Sequence, residues 1–121
     1  MQKKEASHEG KTVPHYSIPD LEPFRPAEGV EIRVIHGERM TVAFFRVEPG
    51  TRIPEHEHPH EQMGTVLRGV MELVVGGEAF TVRAGEAYHV PGNVPHAGVC
   101  PELTELVEVF CPPREDLPGV R

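Results

Sequence analysis

Thirteen prolines and twelve glycines are spread along the 121 residues rather than massed in one place. Between them lie only short runs, rich in Val, Thr, Phe and Leu. β-Branched and aromatic residues suit the pleated surface of a strand, and Pro and Gly end it. Many short strands joined by tight turns make a barrel or a sandwich. At this length the chain forms one domain around a single core.

Residues 1–27 are polar and carry Pro14, Pro19, Pro23 and Pro26. They read as a flexible tail followed by an extended arm, in which Val13, Tyr16, Ile18, Leu21 and Phe24 offer something to bury. Residues 28–121 read as the barrel with a short irregular tail. Strands are expected at Glu31–Ile35, Met40–Val47, Ile53–His58, Gly64–Val75 (one strand, or two bent at Gly69), Glu78–Val82, Glu86–Val90 and Leu103–Phe110. Gly76-Gly77 between β-rich runs is a hairpin signal, and Pro49-Gly50 suits a type II turn.

The formal net charge is −7. Nucleic acid and anionic membranes both call for a basic face, so neither is expected as a partner. No apolar run is long enough for a transmembrane helix. The first ten residues lack the apolar segment of a signal peptide, which points to the cytoplasm. Cys100 and Cys111 are not in CxxC spacing and read as two free thiols in a reducing compartment.

Chemistry concentrates in His56-Glu57-His58-Pro59-His60-Glu61-Gln62 and, much later, in Pro91-Gly92-Asn93-Val94-Pro95-His96. Two histidines one residue apart share a strand face. Imidazole suits zinc, copper, iron or nickel, and an amide oxygen can complete the shell. Glu61 is one residue out of step with Gln62 and is expected to turn away. His60 follows a proline in a turn and reads as a neighbour of the site or as solvent-exposed. His89 reads as structural or exposed. His8, His15 and His36 fall in tail or turn segments and carry no argument.

Gly50-x5-His56-x-His58-x3-Gln62-x6-Gly69 resembles the first cupin motif, and Gly85-x5-Pro91-x-Asn93-x2-His96 resembles the second. Asn93 stands where that family usually has Gly, Cys100 where it often has Asn, and Gln62 where it usually has Glu. The resemblance implies an all-β fold, a double-stranded β-helix or jelly-roll barrel. It also implies one divalent transition metal (Ni, Zn, Fe or Mn) held by His56, His58, Gln62 and His96. Four neutral ligands leave that metal its full double charge, which draws anionic oxygen ligands.

Local wording resembles the small pectin-degradation cupins, which convert cyclic unsaturated uronates into linear keto acids. Their Asp-x-Phe is matched by Glu108-Val109-Phe110, and their Arg-Glu-Asp tail by Arg114-Glu115-Asp116. The resemblance implies a metal-dependent isomerase or tautomerase acting on a small anionic metabolite. Glu108 would move the proton, Phe110 would shape the pocket, and Arg46, Arg68 and Arg114 are candidates to hold the anion. Glu is one methylene longer than the family's Asp, and this places the role of Glu108 in question. A non-haem metal dioxygenase and a non-catalytic metal-dependent metabolite-binding cupin are the alternatives. Small cupins commonly form homodimers, often by exchange of an N-terminal arm, so a homodimer is expected here.

Overall fold

A computed structural model describes residues 3–121; Met1 and Gln2, the start of the expected tail, lie outside the described residues. Twelve strands and one short 3-10 turn (Ile18–Asp20) account for the regular structure among these residues. No helix is long and apolar enough to cross a membrane.

Strands β1 (Lys3–His8) and β2 (Lys11–Tyr16) form an antiparallel hairpin. The sequence predicts a flexible tail running into an extended arm over these residues. The stretch Lys11–His15 of the hairpin is exposed. Strand β3 (Phe24–Ala27), which the reading placed in the arm, pairs with β4 (Val30–His36) and so joins the barrel sheet.

The barrel continues through β5 (Thr41–Val47), β6 (Thr51–His56), β7 (Glu61–Arg68), β8 (Val70–Val75), β9 (Glu78–Arg83), β10 (Ala87–Val90), β11 (His96–Cys100) and β12 (Thr104–Cys111). A six-stranded sheet has the order β10-β7-β12-β5-β4-β3, and a four-stranded sheet has the order β6-β11-β8-β9. Two sheets with crossing connections facing each other make the jelly roll expected from the sequence.

Burial follows the strand period of two. In β4, Val30, Ile32, Val34 and His36 are buried while the residues between them are not. The inward residues form two contiguous clusters. Val47, Val66, Met71, Leu73, Val82, Cys100 and Leu106 fill one end. Val30, Ile32, Val34, Ala43 and Phe110 fill the other. Cys100 is buried and Cys111 exposed, and both are free thiols.

Two boundaries differ from expectation in ways that matter. The strand expected to reach His58 ends at His56, and Pro59 just beyond lacks the amide donor that a ladder needs. The long run through Gly69 divides into β7 and β8. Gly69 has φ +89°, and a Cβ there would lie 2.3 Å from the Leu103 carbonyl oxygen, so only glycine fits the bend. Gly76 and Gly77 both have positive φ and turn β8 into β9 as the hairpin signal predicts.

Candidate metal centre

His96 on β11 faces His56 on β6 in register, and their ring centroids are 4.2 Å apart. His58 lies just past the end of β6 and packs edge-on to His96, with centroids 5.0 Å apart. One ligand atom from each of the three histidines falls within 4.8 Å of the others.

Each imidazole is aimed by its own main chain. The Nδ1–H of His56 donates to the Pro54 carbonyl at 2.8 Å, that of His58 to His60 at 3.0 Å, and that of His96 to Val94 at 2.9 Å. This leaves Nε2 as the lone-pair nitrogen in all three, the tautomer a metal needs. The Nε2 atoms of His58 and His96 are buried with no hydrogen-bond partner. Buried polar atoms are seldom left unpaired, so these two mark a cation site. Burial, with Arg114 second, pulls His58 down to about 4. Burial also lowers His96. Both imidazoles are thereby favoured in the neutral form.

Gln62 is buried on β7, in the sheet opposite His56 and His96. Its Nε2 donates to Glu108 Oε2 at 2.7 Å. Its Oε1 is buried without a partner and offers a neutral oxygen in the cavity that His56 and His96 also line. This donor set fits a divalent transition metal and does not select among them. Glu61 is exposed and pairs with His89 at 2.7 Å, so it does turn away from the site. His60 is half-buried, with its ring centroid 5.4 Å from that of His58.

A cavity of about 250 Å³ opens beside these residues. That is room for about eight waters at liquid density, a small-molecule volume. Apolar walls come from Ile32, Phe45, Met71, Leu73 and Leu106, and the polar groups are His56, Gln62, His96, Glu108 and Arg114. Glu108 and Phe110 share the inward face of β12 with Leu106. Oε2 of Glu108 accepts from Gln62 and from the Tyr88 hydroxyl at 2.5 Å. Its Oε1 takes no hydrogen bond from the described residues. Burial pushes the Glu108 carboxyl up to about 7 against the bonds from Tyr88 and Gln62 and the charge of Arg114, all of which pull it down.

Arg114 stands over the Phe110 ring, 4.8 Å from its centroid. Its Nε and Nη2 hold Asp116 at 2.9 and 2.8 Å, leaving Nη1 for a ligand. That fork draws the Asp116 carboxyl down to about 2. The Arg114 backbone N–H donates to Thr41 Oγ1 at 2.9 Å.

Arg46 and Arg68, named from sequence as candidates to hold an anion, are not brought to the cavity. Arg46 has the outward parity of β5 and lies 3.7 Å from Glu48. Arg68 ends β7, six residues from Gln62, or about 20 Å at strand rise. There it lies 3.8 Å from Glu105. Tyr88 was not singled out in the sequence. The only signal near it was Gly64, a glycine inside a strand, which marks a close approach.

A sequence profile described as the cupin domain matches residues 43–110. The transcriptional regulator PuuR of Escherichia coli (strain K12) is 29% identical over 85 residues, which cover 61% of this chain and 46% of PuuR. The chain therefore spans about half the length of that relative. The pectin degradation protein KdgF of Dickeya dadantii is 28% identical over 105 residues, covering 84% of this chain and 96% of KdgF. The solved structure of KdgF from Halomonas sp. superposes with a TM-score of 0.77 at 23% identity, covering 81% of this chain and 92% of that one.

Proposed function

The chain belongs to the cupin domain family, and on that ground we propose that it is a metal-dependent isomerase that opens the ring of an unsaturated uronate. The observation that carries this reading is the carboxylate of Glu108, held on one oxygen and free on the other, in the same small cavity as His56 and His96 of the three-histidine group.

His56, His58 and His96 through Nε2, with Gln62 through Oε1, would hold the metal. When bound, it supplies a Lewis acid that polarises the substrate's carboxylate and ring oxygens. Arg114 Nη1 pairs with the substrate carboxylate as a positive charge kept in place by Asp116 and Phe110. Phe110 and the apolar wall exclude water from the reacting face. Glu108 Oε1 accepts the proton of the hemiacetal hydroxyl. The ring C–O bond breaks, its electron pair passes to the ring oxygen, and the resulting enolate takes the proton back from Glu108 at carbon. A carboxyl poised near 7 can run both transfers at neutral pH.

The test is turnover of a freshly made unsaturated monouronate by protein loaded with Ni, Zn, Mn or Fe(II), read as loss of the conjugated enol absorbance. Acceleration lost in both His56→Ala and Glu108→Gln supports the reading. Acceleration lost only in His56→Ala removes Glu108 from it. Oxygen uptake in the same cuvette with iron would point instead to a dioxygenase.

A second reading is favoured by the match to PuuR, a regulator rather than an enzyme. On it, the same cavity binds a small anionic metabolite without turnover. Calorimetric binding that survives Glu108→Gln, with no turnover on any sugar acid, would select it.

The family resemblance also supports a homodimer joined through the N-terminal hairpin. All three lysines of this acidic chain, Lys3, Lys4 and Lys11, lie in that hairpin. Sedimentation of the full chain against a chain lacking the hairpin checks this, and a monomer in both removes it. A cytoplasmic location remains part of the same proposal.

A further inference from the structure

Tyr88, Gly64 and Glu108 lie in one row across three strands. Tyr88 on β10 pairs with Gly64 on β7, and Gly64 pairs with Glu108 on β12. Adjacent strands are about 4.8 Å apart, so the backbones of Tyr88 and Glu108 are separated by roughly twice that. The Tyr88 ring bridges the gap by lying over the glycine. A Cβ at Gly64 would come within 2.4 Å of Tyr88 Cζ and Oη and 2.8 Å of Cε2. The hydroxyl then donates to Glu108 Oε2 at 2.5 Å.

The reach depends on the length of Glu. An Asp at this position would withdraw the carboxylate by on the order of 1.5 Å, one C–C bond. The hydroxyl would then stand beyond hydrogen-bond distance. Glu108 in turn has its Oε2 fixed from two sides, by Tyr88 and by Gln62, so rotation about its last torsion is arrested. Burial and the neighbouring carboxylate keep the Tyr88 phenol protonated, well above its ordinary range, so it remains a donor throughout.

We propose that Tyr88 is the positioning residue of Glu108: reaching over Gly64, its hydroxyl draws the longer carboxylate back toward the sheet and leaves Oε1 as the working oxygen in the cavity. What Glu108 does with that oxygen rests on the sugar-acid reading above; the holding contact does not.

Two measurements on the full-length, zinc-loaded protein test this. The first is a cycle of Tyr88→Phe, Glu108→Asp and the double variant on the unsaturated monouronate. Tyr88→Phe is expected to lower kcat by about tenfold to a hundredfold with KM within about twofold, as for a misplaced catalytic group. In the Glu108→Asp background the same change is expected to alter kcat by less than about twofold. Equal falls in both backgrounds, or none in the unmodified protein, overturn the proposal.

The second measurement needs no turnover. The chain has two tyrosines, so protein labelled with 13C at the tyrosine ζ carbon gives two resonances, and Tyr88→Phe assigns them. Glu108→Gln is expected to move the Tyr88 resonance and leave that of Tyr16 in place. An unmoved Tyr88 resonance overturns the proposal. If the unmodified protein leaves the uronate untouched, the sugar-acid reading falls. The resonance then decides alone, with a shift keeping Tyr88 as the holder of Glu108.

Discussion

His36 and Leu117 are 81 residues apart in sequence, yet His36 Nε2 lies 2.9 Å from the Leu117 carbonyl oxygen. The other ring nitrogen meets Thr41 Oγ1 at 2.9 Å, and Thr41 Oγ1 also accepts the Arg114 backbone N–H. A buried histidine on β4 thus ties down the tail that carries Arg114.

His36→Leu should therefore act at a distance. Losing two bonds around a buried site is expected to cost about 1–3 kcal/mol of stability. It should also weaken binding of an anionic ligand by severalfold, since Arg114 loses its anchor while His56, His58 and His96 keep their hydrogen bonds. Urea unfolding and calorimetry with a sugar acid check the two halves. Unchanged ligand affinity in a destabilised protein would detach the tail from the site.

Removing the metal should lower the unfolding midpoint. A ligand bound only by the folded state stabilises it by roughly 2.7 kcal/mol at a hundred times its dissociation constant. Thermal scans before and after chelation, with zinc restored last, measure this. His96→Ala should abolish the difference between the two scans, because its buried Nε2 is one of the nitrogens left for the ion.

The pH dependence of the chelated protein has two opposing parts. Glu108 titrates near 7 when folded, against 4.5 as its reference, so the folded state holds the extra proton between those values. Stability from this group is full below about 4.5 and is lost as pH rises to 7, by about 3 kcal/mol in all. His58, drawn down to about 4, and His96, also lowered by burial, run the other way, and for His58 stability is gained as pH rises from 4 to 6.5. Subtracting Glu108→Gln from the unmodified protein isolates the first part. From pH 5 to pH 8 the urea midpoint of the unmodified protein should fall relative to that of the variant, and a relative rise would refute the assignment.

Gly64→Ala should be costly for a single methyl. The added carbon meets the Tyr88 ring at 2.4 Å, and overpacking of this kind costs typically 1–3 kcal/mol. Combining it with Tyr88→Ala, which empties the space, should recover part of that loss. Additive losses in the double variant would mean that the clash lies elsewhere.

What could be read in the sequence follows from the distance over which each feature is encoded. His56, His58 and Gln62 fall within seven residues, and His96 follows in a second motif, so spacing was enough to group them. Glu108 and Phe110 were legible through the resemblance of Glu108-Val109-Phe110 to the Asp-x-Phe of the pectin-degradation cupins, and strand parity then put both on one face. Arg46 and Arg68 were not, because facing also depends on register and on which end of the barrel a strand end reaches. Tyr88 was invisible for a stronger reason. Its link to Glu108 runs through two pairings, β10 with β7 and β7 with β12, neither of which is written locally. His36 looked like a turn residue because β4 runs one position further than its apolar pattern.

The three imidazoles are held by carbonyl oxygens of Pro54, His60 and Val94, each two residues from its histidine. Among the described residues no side chain hydrogen-bonds to them. The grip on an ion is therefore written in the course of the main chain, while the discrimination among substrates is written in the side chains of the cavity wall. Residues such as Phe45 or Leu106 can be exchanged to admit a different molecule without re-aiming one histidine. A barrel arranged in this way is a socket whose fitting stays fixed while the lining is replaced.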